Sequence, residues 1–464
     1  MRVLHGSSEL YPLASTGGLA SVASALPAAQ EKYGKACAAV VIPFYQDVAD
    51  KCRNIQWHGS MFTFLGEEFG VGSTTVNGLR TILVAKDEFF MRKGIYGAGS
   101  GESWPDNPLR FAFFSRALAA VAASPIHSPD IVHCHDWQTA LTPVYLREGD
   151  IPTVLTIHNL HFQGRFGRES WDAAGLPDTL YTMDALEFWG DWNCLKGGIV
   201  YSDAVTTVSP GYAREILTPE FGCGLEGLLS ESSGKLTGII NGIDTKLWDP
   251  ATDRKIPARF SSGNMSGRKV CRQHLEREAG FSPHGGMILG MVSRLTTQKG
   301  IDMILDSLGH MRDLGIRLVV LGTGEPWAET ALMEAAGENP GSVFVRIAFD
   351  DPMARRIFAG SDGFLMPSRF EPCGLGQMMA MRYGSVPLVR AVGGLADTVS
   401  SGQGFSFAGE ADGFRRALSL MAGTWGNSRK WSWYRRRCMT GDFSWKNSVE
   451  EYERVYRKAM ESRK

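Results

Sequence analysis

Short apolar runs, separated by glycine-bearing loops and stretches of helical periodicity, set the pattern of this chain. In the first half, strands are expected at Met1–Leu4, Ala38–Ile42, Leu79–Val84, Ile131–His135, Thr153–Ile157 and Ala204–Val208. The small and apolar residues from Leu19 to about Tyr33 read as a helix between the first two. Strand–loop–helix–strand units of this kind build parallel sheets with right-handed crossovers. Near Asn241 the texture changes. The segment NGIDTKLWDPATDRKIPARFSSGNMSG is rich in Gly, Asp, Pro and Ser without periodicity, as expected of a linker or hinge.

After it the alternation resumes, with strands expected at Met287–Val292, Arg317–Leu321, Val343–Ile347, Gly363–Met366 and Val386–Val389. Helices are expected at Asp302–Met311, Pro352–Phe358 and Gln377–Arg382. The fold class is therefore α/β, with two open domains of parallel sheet facing each other, residues 1–241 and 242–445. Trp445, Val449, Tyr452 and Val455 recur at helical spacing, so the terminal stretch (446–464) is an amphipathic helix that packs on one domain or crosses between them.

Composition narrows the function. At 464 residues the chain exceeds one hydrophobic core, and 44% hydrophobic with 21% charged residues is ordinary for a globular protein. A formal net charge of -1 argues against a nucleic-acid-coating protein. No apolar run approaches the roughly 20 residues that span a bilayer, and the start lacks the features of a secretory signal. The eight scattered cysteines form no CxxC pair, which speaks for reduced thiols in a cytoplasm. Neither membrane nor nucleic acid is an expected partner; oligomeric state is not encoded legibly.

Ligands of open parallel sheets bind beyond the carboxyl ends of the strands, so the loops there carry the chemistry. LASTGGLASV places Gly17 and Gly18 before a helix, where backbone can approach an anion; a plain tight turn is the alternative. SRLTTQKG puts two cations, Arg294 and Lys299, after a strand, suited to a diphosphate without magnesium unless they are simply solvated. GTGEP resembles the start of a dinucleotide fingerprint, but Trp327 stands where its last glycine is needed. MPSRFEPCGLGQ holds a single carboxylate, Glu371, in a loop shaped by Pro and Gly, followed by a second glycine pair, Gly393 and Gly394. Sugar hydroxyls or a positive anomeric carbon suit such a carboxylate; a helix cap is the alternative. In HCHDWQTAL and TIHNLHFQG, the residues Asp136, Trp137, His158 and Asn159 offer an aromatic face and polar groups for a sugar. His133 and His135 are expected on opposite faces of their strand, so no metal site is expected, and His5 and His161 read as packing or surface residues.

STGGLA, HDWQTALTP, TIHNLHFQG, TTVSPGYAREI, NGIDTKLWDP, SRLTTQKG, SRFEPCGLGQ, VGGLADTV and the terminal DFSW resemble, in order along nearly the whole chain, the bacterial glycogen synthase and plant starch synthase family. The resemblance implies a GT-B architecture: two Rossmann-like domains flanking a deep cleft, the final helix returning to the first. It implies a retaining hexosyltransferase that moves glucose from ADP-glucose to the non-reducing end of an α-1,4-glucan such as glycogen or a malto-oligosaccharide, with no cofactor or metal. The first domain would serve the acceptor and the second the nucleotide sugar. Arg294 and Lys299 would bind the diphosphate, Glu371 the glucose hydroxyls, and His158 the sugar near its primary hydroxyl. Ser15, Gly17, Gly18, Gly324, Phe349, Cys373, Gly374, Leu375 and Gly376 fall at donor-binding positions. Tyr96, Asp136, Trp137 and Asn159 would line the donor sugar and the acceptor side. Domain closure would then exclude water.

The chain departs from the family pattern at Ser15, where Lys is common, at Ser21, where Asp is, and at Gly376, where Thr is frequent. Phe349 replaces a Tyr that stacks on adenine. A shifted donor such as UDP-glucose, an altered acceptor, or a weakly active glucan-binding protein remain the alternatives.

Overall fold

The structure, a computed structural model, describes residues 1–98, 102–125, 127–283 and 285–463. The chain forms two compact units, the first from Met1–Asn241 plus the segment beginning at Trp445, the second from Gly242–Ser444.

In unit one the strands are β1 (Arg2–Gly6), β2 (Cys37–Pro43), β3 (Gln56–Phe62), β4 (Glu68–Val76), β5 (Leu79–Ala85), β6 (Ile131–His135), β7 (Thr153–Ile157), β8 (Arg165–Gly167), β9 (Glu187–Phe188), β10 (Asp191–Asn193), β11 (Ala204–Thr207) and β12 (Leu236–Gly238). The main sheet runs β12-β11-β7-β6-β1-β2-β5-β4-β3. It is parallel from β12 to β5, and β3 and β4 add antiparallel strands at one edge. Its central strands β6, β7 and β11 are buried throughout, so they show no alternation with a solvent-facing side, and the His and Thr side chains they carry are sealed inside. The edge strand β3, QWHGSMF, is largely exposed and mixes polar with apolar residues, so no apolar periodicity marks it in the sequence. The small sheet β8-β10-β9 is likewise too short for periodicity to reveal.

Unit two contains β13 (Met287–Val292), β14 (Ile316–Gly322), β15 (Val343–Ile347), β16 (Gly363–Met366), β17 (Val386–Arg390) and β18 (Phe405–Phe407). They form one parallel sheet in the order β15-β14-β13-β16-β17-β18. The expected helix Asp302–Met311 is two helices, Ile301–Leu305 and Leu308–Asp313. The supposed linker after Asn241 is irregular but anchored. Asp253 in that segment is buried, accepts from Arg355 Nη1 at 2.9 Å and from Tyr383 Oη at 2.5 Å, and Arg355 lies 4.1 Å from the Trp248 ring centroid. The two donors hold its carboxyl below the usual range despite burial, so the segment is a docked part of unit two rather than a loose hinge.

The terminal helix Lys446–Ser462 belongs to unit one; residue 464, the last of its expected span, lies outside the described residues. Val449, Tyr452, Val455, Tyr456 and Ala459 share a buried cluster with Val22, Leu26 and Ala29 of the helix Gly18–Tyr33. The spacing seen in sequence is thus the apolar stripe that seats this helix.

One expectation fails. His133 and His135 face the same side of β6, their ring centroids 4.3 Å apart, and with His5 they bring three possible ligand atoms within 4.8 Å. Side chains on a strand repeat every two residues, so positions i and i+2 share a face.

Tyr456 is fully buried, takes a hydrogen bond from Gln30 Nε2 at 2.7 Å and lies 2.8 Å from His133 Nδ1. Removing its hydroxyl strands both partners without water. Tyr456→Phe is expected to lower unfolding free energy by about 1–3 kcal/mol, read from urea denaturation with an unchanged m-value.

Candidate active site

In unit two the site is built at the carboxyl ends of β13 and β16, which pair directly in parallel. The loop after β13 runs to Gly300, whose φ is +71° and where a Cβ would lie 2.4 Å from the carbonyl oxygen of Pro367. Only glycine permits that approach of the two loops. They are then stitched together: Arg369 N donates to Gln298 O at 2.8 Å, Gln298 Nε2 to Phe370 O at 3.0 Å, and the Arg369 guanidinium grips both oxygens of Asp302 at 2.8 and 2.6 Å. As a result Lys299 Nζ donates to Glu371 Oε2 at 2.5 Å, and Ser368 Oγ to the same oxygen at 2.9 Å.

Both partners are largely shielded, the side chains being 12% and 9% exposed. Glu371 Oε1 has no partner among the described residues. The alternative of a helix cap fails, because the helix Gly376–Arg382 begins without a side-chain cap. Arg294 is exposed and its guanidinium has no partner among the described residues. With Arg369 balanced by Asp302, the cations Arg294 and Lys299 against the single carboxylate Glu371 leave one positive charge in excess, the complement an arriving diphosphate would need.

The remaining donor-side positions divide. Cys373 is buried, and its carbonyl and that of Gly374 accept from Gln377 Nε2 at 3.0 and 2.9 Å, which fixes the loop into Leu375 and Gly376. Gly394 N donates to Glu371 O at 3.0 Å, and a Cβ on Gly394 would lie 2.4 Å from Cys373 Cα, so the second glycine pair braces the Glu371 loop. Phe349 is 97% exposed, an unstacked ring on the loop after β15. Gly324 has a structural explanation: its N–H donates to Glu329 Oε1 at 2.7 Å, and a Cβ there would lie 2.1 Å from Leu295 O.

In unit one, β6 and β7 are parallel neighbours, and their ends deliver Asp136 and His158 to one place. Asp136 has φ +57°, and its Oδ1 accepts from His158 N at 2.7 Å. Burial drives the Asp136 carboxyl up to about 7 despite that hydrogen bond, and burial holds the His158 imidazole down to about 3. Asn159 Oδ1 accepts from His161 N at 3.1 Å. Trp137 meets Phe111 and Phe166 edge-on, at 4.9 and 5.5 Å between centroids, and Tyr96 packs on Phe111 at 6.0 Å. Trp137, Trp104, Phe162 and Phe166 help to line a groove of about 870 Å³ in this unit.

The glycine loop is organised by a residue that no motif marks. Glu9, 3% exposed, accepts from Thr16 N at 2.8 Å, Gly17 N at 3.3 Å, Thr16 Oγ1 at 2.7 Å and Tyr96 Oη at 2.8 Å. Gly17 therefore already has an acceptor, while Gly18 opens the helix, whose first-turn N–H groups lack helical partners. Ser15 is exposed. The one sequence signal for Glu9 is an acid in the loop that follows an apolar strand, three residues past the end of β1.

Asp136 supplies a test of this burial. A carboxyl raised from its ordinary value to about 7 stays protonated in the folded chain while the unfolded chain ionises, so it subtracts stability as pH rises from about 4 to about 7. Asp136→Asn is expected to flatten that slope in urea midpoints measured across this range; an unchanged difference from the parent would contradict it.

Comparisons with known proteins agree with this arrangement. Residues 2–231 match the model of the starch synthase catalytic domain and residues 286–422 that of glycosyl transferases group 1. Glycogen synthase 1 of Rhizobium meliloti is 42% identical, with 98% of each chain covered. Glycogen synthase 2 of Geobacter sulfurreducens is 41% identical over 100% of both. The catalytic domain of starch synthase IV from Arabidopsis thaliana, solved bound to ADP and acarbose, superposes with a TM-score of 0.89 at 31% identity, covering 99% of each chain, and carries the GT-B fold class to this one. Two Rossmann-like sheets, a terminal helix docked on the first, and full-length identity of this order place the chain in the glycogen synthase and starch synthase family of glycosyltransferases.

Proposed function

We propose that the protein transfers glucose from ADP-glucose to the non-reducing end of an α-1,4-glucan with retention of configuration. The observation that carries this reading is the Lys299–Glu371 pair at 2.5 Å beside an unengaged Arg294, at the ends of adjacent parallel strands. When the bond between the anomeric carbon and the diphosphate breaks, negative charge collects on the departing phosphate oxygen. Lys299 and Arg294 stabilise it without proton transfer. Glu371 anchors sugar hydroxyls through its open Oε1. The acceptor hydroxyl attacks from the face the diphosphate leaves, and its proton passes to the leaving phosphate oxygen, giving ADP and a glucan longer by one glucose.

On the other unit, Trp137, Tyr96, Asp136 and Asn159 suit the glucan and sugar hydroxyls, and His158 a hydroxyl of the donor glucose. A relative 31% identical binds ADP and acarbose, which supports an adenine nucleotide and a saccharide as ligands here. The exposed Phe349 offers a face for the base, and the exposed glycine loop of Ser15, Gly17 and Gly18 offers Gly18 and the first turn of its helix to a phosphate.

Ser15 and Ser21 favour a second reading with the same reaction and a different nucleotide, such as UDP-glucose. Nucleotide release on a glycogen primer, measured with both donors, separates the two: equal or reversed preference rejects the ADP assignment. Arg294→Ala is expected to cut kcat about 100-fold. Because Arg294 is exposed and makes no ion pair among the described residues, the variant's melting temperature should stay unchanged, and retained turnover would remove Arg294 from the mechanism. Ser15→Lys is expected to tighten donor binding, seen as a lower KM.

A further inference from the structure

Behind His158 lies an unbroken line of buried polar side chains in unit one. His158 Nε2 is 2.9 Å from His135 Nδ1, His135 Nε2 is 3.0 Å from His5 Nδ1, and His5 Nε2 is 2.8 Å from Gln30 Oε1. The Gln30 amide turns the line: its Nε2 donates to Tyr456 Oη at 2.7 Å. From there it continues through His133 Nδ1 at 2.8 Å, Thr156 Oγ1 at 2.6 Å from His133 Nε2, and Thr206 Oγ1 at 2.6 Å from Thr156. His5, Gln30, His133, His135, Thr156, Thr206 and Tyr456 are all 0% exposed.

The three clustered imidazoles have the spacing of a metal site, yet each of their ring nitrogens is already committed to a neighbour in this line. Burial keeps the rings neutral: His5 is lowered to about 4, His158 to about 3, and His133 and His135 lie well below the ordinary histidine value.

A neutral imidazole has one donor nitrogen and one acceptor nitrogen, so the proton positions along such a line are not independent. Gln30 Oε1 only accepts, which puts the His5 proton on Nε2 and leaves its Nδ1 to accept. His135 must then donate from Nε2 and accept at Nδ1, and His158 must donate from Nε2. On the other branch Tyr456 receives from the amide and donates to His133 Nδ1; His133 Nε2–H donates to Thr156, and Thr156 to Thr206. The only other consistent set reverses every bond and needs the amide turned over. His158 Nδ1 has no partner among the described residues, and the ring is only half-buried, so this atom is the open end.

We propose that Gln30 is a positioning residue for His158: through His5 and His135 it holds the proton on His158 Nε2, so that Nδ1 meets the substrate as an acceptor for a sugar hydroxyl. The substrate half of this statement rests on the function proposed above; the proton assignment does not. Tyr456 gives the terminal helix a part in the site, because its hydroxyl sets which way the amide faces.

The test uses the full-length protein labelled with 15N-histidine, with His158 resonances identified by their loss in His158→Gln. Long-range 1H–15N spectra are expected to show a protonated, pyrrole-type Nε2 and an unprotonated, pyridine-type Nδ1. In Gln30→Met the Nδ1 resonance should move toward the pyrrole position, and kcat/KM for the nucleotide sugar should fall about tenfold. Gln30→Glu, whose buried acid in its protonated form offers one acceptor and one donor in the amide's place, should restore both. A wild-type His158 protonated on Nδ1, or a Gln30→Met spectrum identical to wild type, overturns the proposal. Should Gln30→Met not fold, the wild-type spectrum alone decides. A wild-type chain that transfers no glucose would sink the function reading while the spectrum still decides the proton assignment.

Discussion

The ion pair of Lys299 and Glu371 joins residues 72 positions apart, and it exists because β13 and β16 are adjacent in one parallel sheet. Parallel strands send their exits to the same edge, and everything chemical in unit two hangs on that edge. The Cβ-free approach at Gly300, the guanidinium of Arg369 on Asp302 and the brace at Gly394 serve to hold the two exits in register. A carboxylate placed so close to a lysine in a shielded loop would be costly to leave unpaired, so each group keeps the other in position until a substrate arrives.

Unit one repeats the device with different chemistry. Adjacent β6 and β7 deliver Asp136 and His158 together, but the groups behind them are polar and sealed rather than charged. Burial raises the Asp136 carboxyl and lowers the histidines by one cause, the penalty on charge in a dry interior. A neutral, hydrogen-bonded interior transmits direction rather than charge, in contrast to the charged pair of the other sheet.

Much of this was legible early. β6, β7, β13, β15 and β16 begin and end where the expected strands do, because each is an apolar-rich stretch bounded by polar or glycine-bearing loops; β6, β7 and β16 are buried on both faces, whereas β15 lies at the sheet edge and exposes Arg346. The loops that carry Arg294, Lys299, Glu371, Asp136 and His158 were marked by position, immediately after such runs. The hairpin of β3 and β4 escaped because β3 is exposed and β4 alternates only weakly. The linker after Asn241 escaped because its ordering comes from Arg355 and Tyr383, more than 100 residues away.

The sequence by itself determined the element order, the residue types at each strand exit and the apolar stripe of the terminal helix, since these depend on neighbours a few residues apart. Only the tertiary structure decided which exits meet: that Lys299 finds Glu371, that Glu9 gathers the glycine loop and Tyr96, and that three histidines from β1 and β6 share one face with Gln30 and Tyr456. Those pairings follow from strand order and helix docking, which arise from burial summed over the whole sheet, and no local spacing encodes that sum.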